Sequence, residues 1–287
     1  MTVALVTDST AYLPADLVAA HGIRVVPVRV ALGDDDLAEG VAVTSAELAA
    51  ALRARKPVRT AAPSPRAMLA AYEEAAVRAD AVVSVHLSGA MSSTVAVAQA
   101  AARSAPVPVE VVDSRSVAMG LGYAVLAAAE VAGAGGSLTE VAAMAGRRAR
   151  AATLRFSVDT LEYLRRGGRI GAARSLLGTA LAIKPILGLV GGTIVPVERV
   201  RTSSRALARL EALAIDAMAA LPAGSTGCDV AVHHLDDQAR ADRLGDTLRE
   251  HLDGRGRVLV TELGAVVGAH VGPGTLATVV SPRFDAR

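Results

Sequence analysis

The feature that most constrains this chain is the alternation of short apolar runs with helix-start signals through its first half. Val3–Val6, Ile23–Val30, Ala81–Leu87 and Val109–Val112 are rich in β-branched residues and read as strands. Between them lie helix signals of several kinds. A helix runs from Pro14 until Gly22 ends it, and Thr44-Ser45-Ala46-Glu47 is a capping box opening a helix to about Arg55. Ser64 stands as an N-cap before Pro65 at the first helical position, for a helix to Arg78. Further helices start after Ser92 or Ser93 and after Asp113-Ser114. Another starts at Ser137-x-x-Glu140 and ends in the basic run Arg147, Arg148 and Arg150. Strands joined through helices pair in parallel, and continuous apolar strands are covered on both faces. The first half is therefore expected to be an α/β unit, a mostly parallel sheet with helices on both sides.

The second half has a different rhythm. Phe156-Ser157-Val158-Asp159 precedes a short helix that stops at Gly167-Gly168, and Gly191-Gly192 turns into a strand at Thr193–Val197. Long amphipathic helices are expected at about Ser204–Ala220 and Asp237–Leu252, with short strands at about Asp229–His233, Arg257–Glu262 and Ala265–Ala269. This is an α+β pattern with a largely antiparallel sheet. The boundary falls near residue 153, giving domains 1–152 and 153–287. No low-complexity linker separates them, so the two halves should pack closely with a crevice between.

Composition narrows the function. Hydrophobic residues make up 52% of the chain but aromatics only 2%, without Trp, so Ala, Val and Leu must fill the core and any apolar pocket has aliphatic walls. Thirty Lys and Arg against 28 Asp and Glu are too balanced for a nucleic-acid footprint, and four Tyr with two Phe cannot build a base-stacking platform. The single Cys228 forms no internal disulfide, and beside Val230, Ala231 and Val232 it reads as a buried thiol. The six His show no metal-ligand spacing, so no metal is expected. The first residues lack the basic segment and long apolar core of a signal peptide, and Val117–Val131 is too short and weakly apolar to span a bilayer. A cytoplasmic protein is expected.

Four segments place hydroxyl, imidazole or guanidinium groups at element ends, where ligand sites in such sheets form. Ser88-Gly89-Ala90-Met91-Ser92-Ser93-Thr94 leaves a strand and enters a helix, which aims backbone N–H groups and hydroxyls at one spot suited to an anion. Ser92 also reads as a plain N-cap, and the turn lacks the Gly-Lys-Ser/Thr ending of a nucleotide loop. Thr60-Ala61-Ala62-Pro63-Ser64 is a second loop entering a helix, where Thr60 is either a hydroxyl donor or a surface-turn residue. His270 stands at a strand end before Gly272-Pro273-Gly274, placed for a polar contact. Arg169 follows the Gly167-Gly168 turn, which lets a guanidinium approach other backbone closely; a solvated basic helix end is the alternative.

Taken in order, these segments resemble the DegV family of bacterial fatty-acid-binding proteins, which includes the acyl-carrying subunits of bacterial fatty acid kinase. The likeness begins at Thr7-Asp8-Ser9 and includes the Thr60 loop and Leu87-Ser88-Gly89-Ala90-Met91-Ser92-Ser93-Thr94. It continues through Val112-Asp113-Ser114, Gly120-Leu121-Gly122, Asp159-Thr160-Leu161-Glu162 and Gly167-Gly168-Arg169-Ile170. Ile183-Lys184-Pro185, Val200-Arg201 and Gly268-Ala269-His270-Val271-Gly272-Pro273-Gly274 complete it. The resemblance implies a buried long-chain fatty acid, such as palmitate or oleate, with its carboxylate near the domain interface, held by Thr60, Ser92 and His270. Ser93, Arg169 and Arg201 would support the head group or face a partner. That partner would be a dihydroxyacetone-kinase-like fatty acid kinase subunit, with at most transient membrane contact and no cofactor. This chain has Ala61-Ala62 where many relatives have Ser-Gln, and Ser93 where many have Gly, so its head-group loops differ in detail. Burying about fifteen methylenes contributes up to roughly 12 kcal/mol before ordering costs. The carboxylate, costly to desolvate, needs hydrogen-bond partners.

Two other functions share these residues. An acyl hydrolase or transferase would use Ser92 with His270, but the Gly-x-Ser-x-Gly elbow is absent and no carboxylate adjoins His270 in sequence. A lipid-sensing adaptor would use the same pocket and differ only downstream.

Overall fold

A computed structural model describes residues 1–33, 35–176 and 183–285. The first half runs β1 (Val3–Asp8), α1 (Ala15–Ala20), β2 (Arg24–Val26), β3 (Arg29–Leu32), β4 (Asp35–Ala38), α2 (Ser45–Arg53) and β5 (Val58–Ala61). It continues α3 (Pro65–Ala76), β6 (Ala81–His86), α4 (Thr94–Ala102), β7 (Val109–Asp113), α5 (Met119–Gly133) and α6 (Leu138–Ala151). The second half runs β8 (Thr153–Ser157), α7 (Glu162–Arg166), β9 (Lys184–Val190), β10 (Thr193–Val200) and α8 (Ser203–Ala219). It ends with β11 (Cys228–His234), α9 (Gln238–Leu252), β12 (Val258–Glu262), α10 (Ala265–Val271) and β13 (Leu276–Pro282).

The first-half sheet has the order β2-β1-β6-β7 and is parallel throughout. The second has the order β10-β9-β8-β13-β11-β12 and is antiparallel except where β11 meets β12. Both sheets are buried on two faces, and alternate side chains show where each face goes. Leu5, Val83 and Val85 of the parallel sheet share one core with Leu187, Ala231 and Ala277 of the other. Val6 and Val82 point the opposite way, onto Met68 and Tyr72 of α3 and Ala98 of α4. In the six-stranded sheet, Ile186, Val230 and Leu276 pack outward on Leu210 of α8 and Leu244 of α9. Helices α5 and α6 fill the middle layer and touch both sheets. Every α5 residue from Met119 to Ala129 is buried, as a helix between two sheets requires. Gly122 lets it approach the preceding chain, since a Cβ there would lie 2.7 Å from the Ala11 carbonyl oxygen.

The local signals held where they were local. Thr44 with Glu47 and Ser137 with Glu140 form complete capping boxes, and Ser64 accepts the Ala67 N–H ahead of Pro65. Cys228 is buried, and burial pushes its thiol pKa up.

Four expectations need correction. Ile23–Val30 is not one strand: Pro27 interrupts it, β2 joins the parallel sheet, and β3 enters a separate antiparallel sheet of order β4-β3-β5. Thr60 lies within β5, opposite Val30, rather than in a loop. Ala265–Ala269 is the body of α10 rather than a strand, so His270 sits near a helix C-terminus. Five apolar or small residues hold no periodicity that separates the two, and tertiary contacts decide the outcome. Strand β13, absent from the sequence reading, lies near the middle of the larger sheet with all seven residues buried.

Candidate functional site

A cavity of about 240 Å³ lies where the halves meet. Leu87 and Val117 wall it from the first half, Leu154, Phe156 and Ala277 from the second, and Val266 of α10 closes another side. The walls are mainly aliphatic, as the scarcity of aromatics requires.

The polar lining gathers most of the residues singled out in the sequence. Thr60, Ser92, Ser93, Arg169 and His270 all line this cavity. Thr60 Oγ1 and His270 Nε2 are 2.8 Å apart and share a hydrogen bond whose direction depends on the tautomer. His270 Nδ1 is buried and has no partner. Burial, with the nearby Arg169 charge, pushes the His270 pKa down to about 4, so the ring is neutral at pH 7. Gly167 makes room for it, because a Cβ there would fall 2.1 Å from His270 Nδ1. The close approach allowed by the double-glycine turn is therefore to this imidazole.

Arg169 bridges two segments. Its Nε donates to the Met91 carbonyl at 2.9 Å and its Nη1 to the Gly167 carbonyl at 2.7 Å, which ties the end of α7 to the Ser88–Thr94 turn. Ser92 Oγ accepts the Thr94 N–H at 3.3 Å and shares a hydrogen bond with Thr94 Oγ1 at 2.9 Å. Ser93 takes the N-cap position of α4 without a side-chain cap bond and is exposed. Ser88 donates to the Gly192 carbonyl at 2.8 Å, fastening the β9–β10 hairpin over the turn. Arg201 is apart from this group: it is exposed between β10 and α8 and does not line the cavity.

Three contributors had no sequence signal. His233 lines the cavity, and its Nε2 accepts the Met119 N–H at 3.1 Å, capping α5 from across the molecule. Burial pushes its pKa to about 4, which keeps that nitrogen free to accept. Glu39 and Tyr12 meet the N-terminus of α10. Partners separated by more than a hundred residues leave no spacing to read.

The geometry also bears on the hydrolase alternative. A Ser–His–Asp chain does exist, but elsewhere: Ser84 Oγ is 2.7 Å from His86 Nε2, and His86 Nδ1 is 3.0 Å from Asp8 Oδ2. All three are fully buried in the parallel sheet, and Asp8 also accepts the Leu87 N–H that opens the turn. Among the described residues no carboxylate bonds His270, no group of three or more His, Cys, Asp or Glu is placed to hold a metal, and no helix is long and apolar enough to cross a membrane.

Fold and cavity together define an α/β protein that encloses an aliphatic chamber between a parallel and a largely antiparallel sheet. The family model described as "Uncharacterised protein, DegV family" matches residues 2–283, and the chain belongs to the DegV family. A DegV domain-containing protein of Streptomyces coelicolor is 52% identical over 282 residues, covering 98% of this chain and 99% of that one. The fold is similar to a DegV family protein from Thermus thermophilus, described for its fatty acid binding, with TM-score 0.91, 36% identity and coverage of 99% of this chain and 100% of that one. It is also similar to DegV of Bacillus subtilis, described as a fatty acid binding protein, with TM-score 0.89, 29% identity and the same coverage.

Proposed function

We propose that this protein holds one long-chain fatty acid, such as palmitate or oleate, in the cavity between residues 1–152 and 153–287. The carboxylate would meet Thr60, Ser92 and His270, with the Arg169 guanidinium as counter-charge. The observation that carries this reading is the pairing of aliphatic walls with a small polar group, Thr60, Ser92, Arg169 and His270, gathered in one cavity. The fatty acid binding of the Thermus and Bacillus relatives supports it. In this reading the protein is a non-catalytic carrier in the cytoplasm. It presents the carboxylate to a partner kinase of the dihydroxyacetone-kinase-like type, which transfers a phosphoryl group from ATP to a carboxylate oxygen. Arg201, outside the cavity, would face that partner.

Titration of delipidated protein with palmitate tests the reading. Tight binding is expected, with Thr60→Ala and Ser92→Ala each costing about 1–3 kcal/mol, the usual loss for an unmatched buried polar group. Arg201→Ala is expected to bind palmitate normally and to lose acyl-phosphate formation with the kinase. Absence of palmitate binding by the wild type contradicts the carrier reading, and Ser92-dependent hydrolysis of p-nitrophenyl acyl esters would replace it with a hydrolase.

A further inference from the structure

Helix α10 brings His270 to the cavity, yet nothing near it in sequence caps its start. Gly264 at the N-cap makes no side-chain bond. The Val266 N–H donates instead to Glu39 Oε1 at 2.7 Å, and the Val267 N–H donates to the Tyr12 hydroxyl oxygen at 3.2 Å. Tyr12 donates its own proton to the same Glu39 oxygen at 3.1 Å, and Ser9 donates to Glu39 Oε2 at 2.5 Å. Ser9 in turn accepts the Val28 N–H at 3.0 Å. One carboxylate, 4% exposed, thereby joins the turn after β1, the segment after β4 and the first turn of α10. The fit is close: a Cβ on Gly264 would lie 2.5 Å from Glu39 Oε1 and 2.6 Å from Tyr12 Cε1.

We infer that Glu39 is a positioning residue for His270, and that this cap, shared with Tyr12, sets the position of the imidazole beside Thr60. The inference rests on the fatty-acid reading for its functional consequence and on hydrogen bonds for its geometry. Helix α10 has only seven residues, so its own backbone ladder is short and its position depends on what holds its ends. At the far end, Gly167 and Tyr163 of the α7 segment pack against His270 and Gly272. At the near end the holding groups are Glu39 and Tyr12.

The charged and titratable neighbours are few. The Asp8 charge, at the end of β1, adds to the burial that raises the Glu39 pKa; Tyr12 donates to it; and the Tyr12 ring stands edge-on to His233 at 6.4 Å. No cation pairs with Glu39 among the described residues. A protonated Glu39 could still accept from Val266 on one oxygen and donate to Ser9 from the other. The cap therefore works through hydrogen-bond geometry, and a glutamine can reproduce it: the amide oxygen accepts from Val266 and Tyr12, and the NH₂ group faces Ser9.

The test compares wild type, Glu39→Ala, Glu39→Gln and Tyr12→Phe as full-length, ligand-free protein, and then with palmitate. Glu39→Ala is expected to speed amide exchange at Val266 and Val267 about tenfold or more, while the β6 amides stay protected. It is also expected to shift the His270 imidazole ¹⁵N resonances and weaken palmitate binding about tenfold. Glu39→Gln should restore all three readouts to near wild type. Tyr12→Phe should speed exchange at Val267 and leave Val266 protected, and it supplies the measurement if Glu39→Ala does not fold. The inference is overturned if the His270 signals and palmitate affinity ignore Glu39→Ala, or if Glu39→Gln is as damaging as alanine. It is equally overturned if Tyr12→Phe leaves Val267 exchange unchanged. Should wild type bind no palmitate, the fatty-acid reading fails by itself, while exchange and resonance shifts still judge the cap.

Discussion

Where side chains cap helix starts in this protein they do so in two ways, from the helix's own segment or from far along the chain. Helices α2, α3 and α6 are capped from within, by Thr44 with Glu47, by Ser64 and by Ser137 with Glu140. Helix α10, which walls the cavity, is capped by Glu39 with Tyr12, and α5, entered from the cavity-lining Val117 and Ala118, is capped by His233, groups 114 to 255 residues away in the chain. A local cap needs only its own helix, whereas a remote cap needs a group from the other half of the chain. The outer helices are thus capped locally, and the helices beside the chamber are capped across the halves.

The strongest way to break that contrast is to cut a joint between the halves. Arg148 on α6 is 3% exposed, donates to Asp229 of β11 and to Ser281 Oγ of β13 at 3.0 Å, and lies over the Tyr123 ring. Arg148→Ala leaves the largely buried Asp229 carboxylate without this partner and is expected to cost about 3–5 kcal/mol in urea unfolding. A loss below about 1 kcal/mol would show that this joint does not hold the halves together.

Acid should act on the fold through two buried histidines, His233 at the start of α5 and His270 in the cavity. His233 and His270 have native pKa values pushed down to about 4, below the usual value near 6.5. The unfolded chain then binds more protons between these values, so stability is full above about pH 6.5 and falls as pH drops toward 4. Each histidine contributes roughly 3 kcal/mol to this slope. Glu39 opposes it, because its raised pKa makes the native state the better proton binder as pH falls. His233→Gln should flatten part of the acid limb of a stability-versus-pH curve, and an unchanged limb would remove His233 from the account.

The smallest effects are expected at the local caps. Ser137→Ala and Thr44→Ala should each cost about 1 kcal/mol of thermal stability and leave palmitate affinity unchanged. A marked loss of affinity from either would erase the distinction between outer layers and chamber.

The same contrast explains what the sequence disclosed. Continuous apolar runs marked β1, β6 and β7 because strands covered on both faces need no polar alternation, and capping boxes marked α2 and α6. The head-group candidates were legible as loop chemistry and family likeness, and five of the six line one cavity; Arg201 does not. Glu39, Tyr12 and His233 were illegible because their partners are remote in the chain. Helix α10 reads as a strand from composition alone, and the groups that meet its first turn, Glu39 and Tyr12, lie far off in the chain. Strand β13 went unseen, although its central place buries every one of its residues.

The central claim is that the chamber lined by both halves of the chain holds one acyl chain, and native mass spectrometry of the freshly purified protein tests it most directly. The account predicts one palmitate- or oleate-sized adduct per chain, removed by delipidation and restored by added palmitate. A bare mass that takes up no palmitate would contradict it.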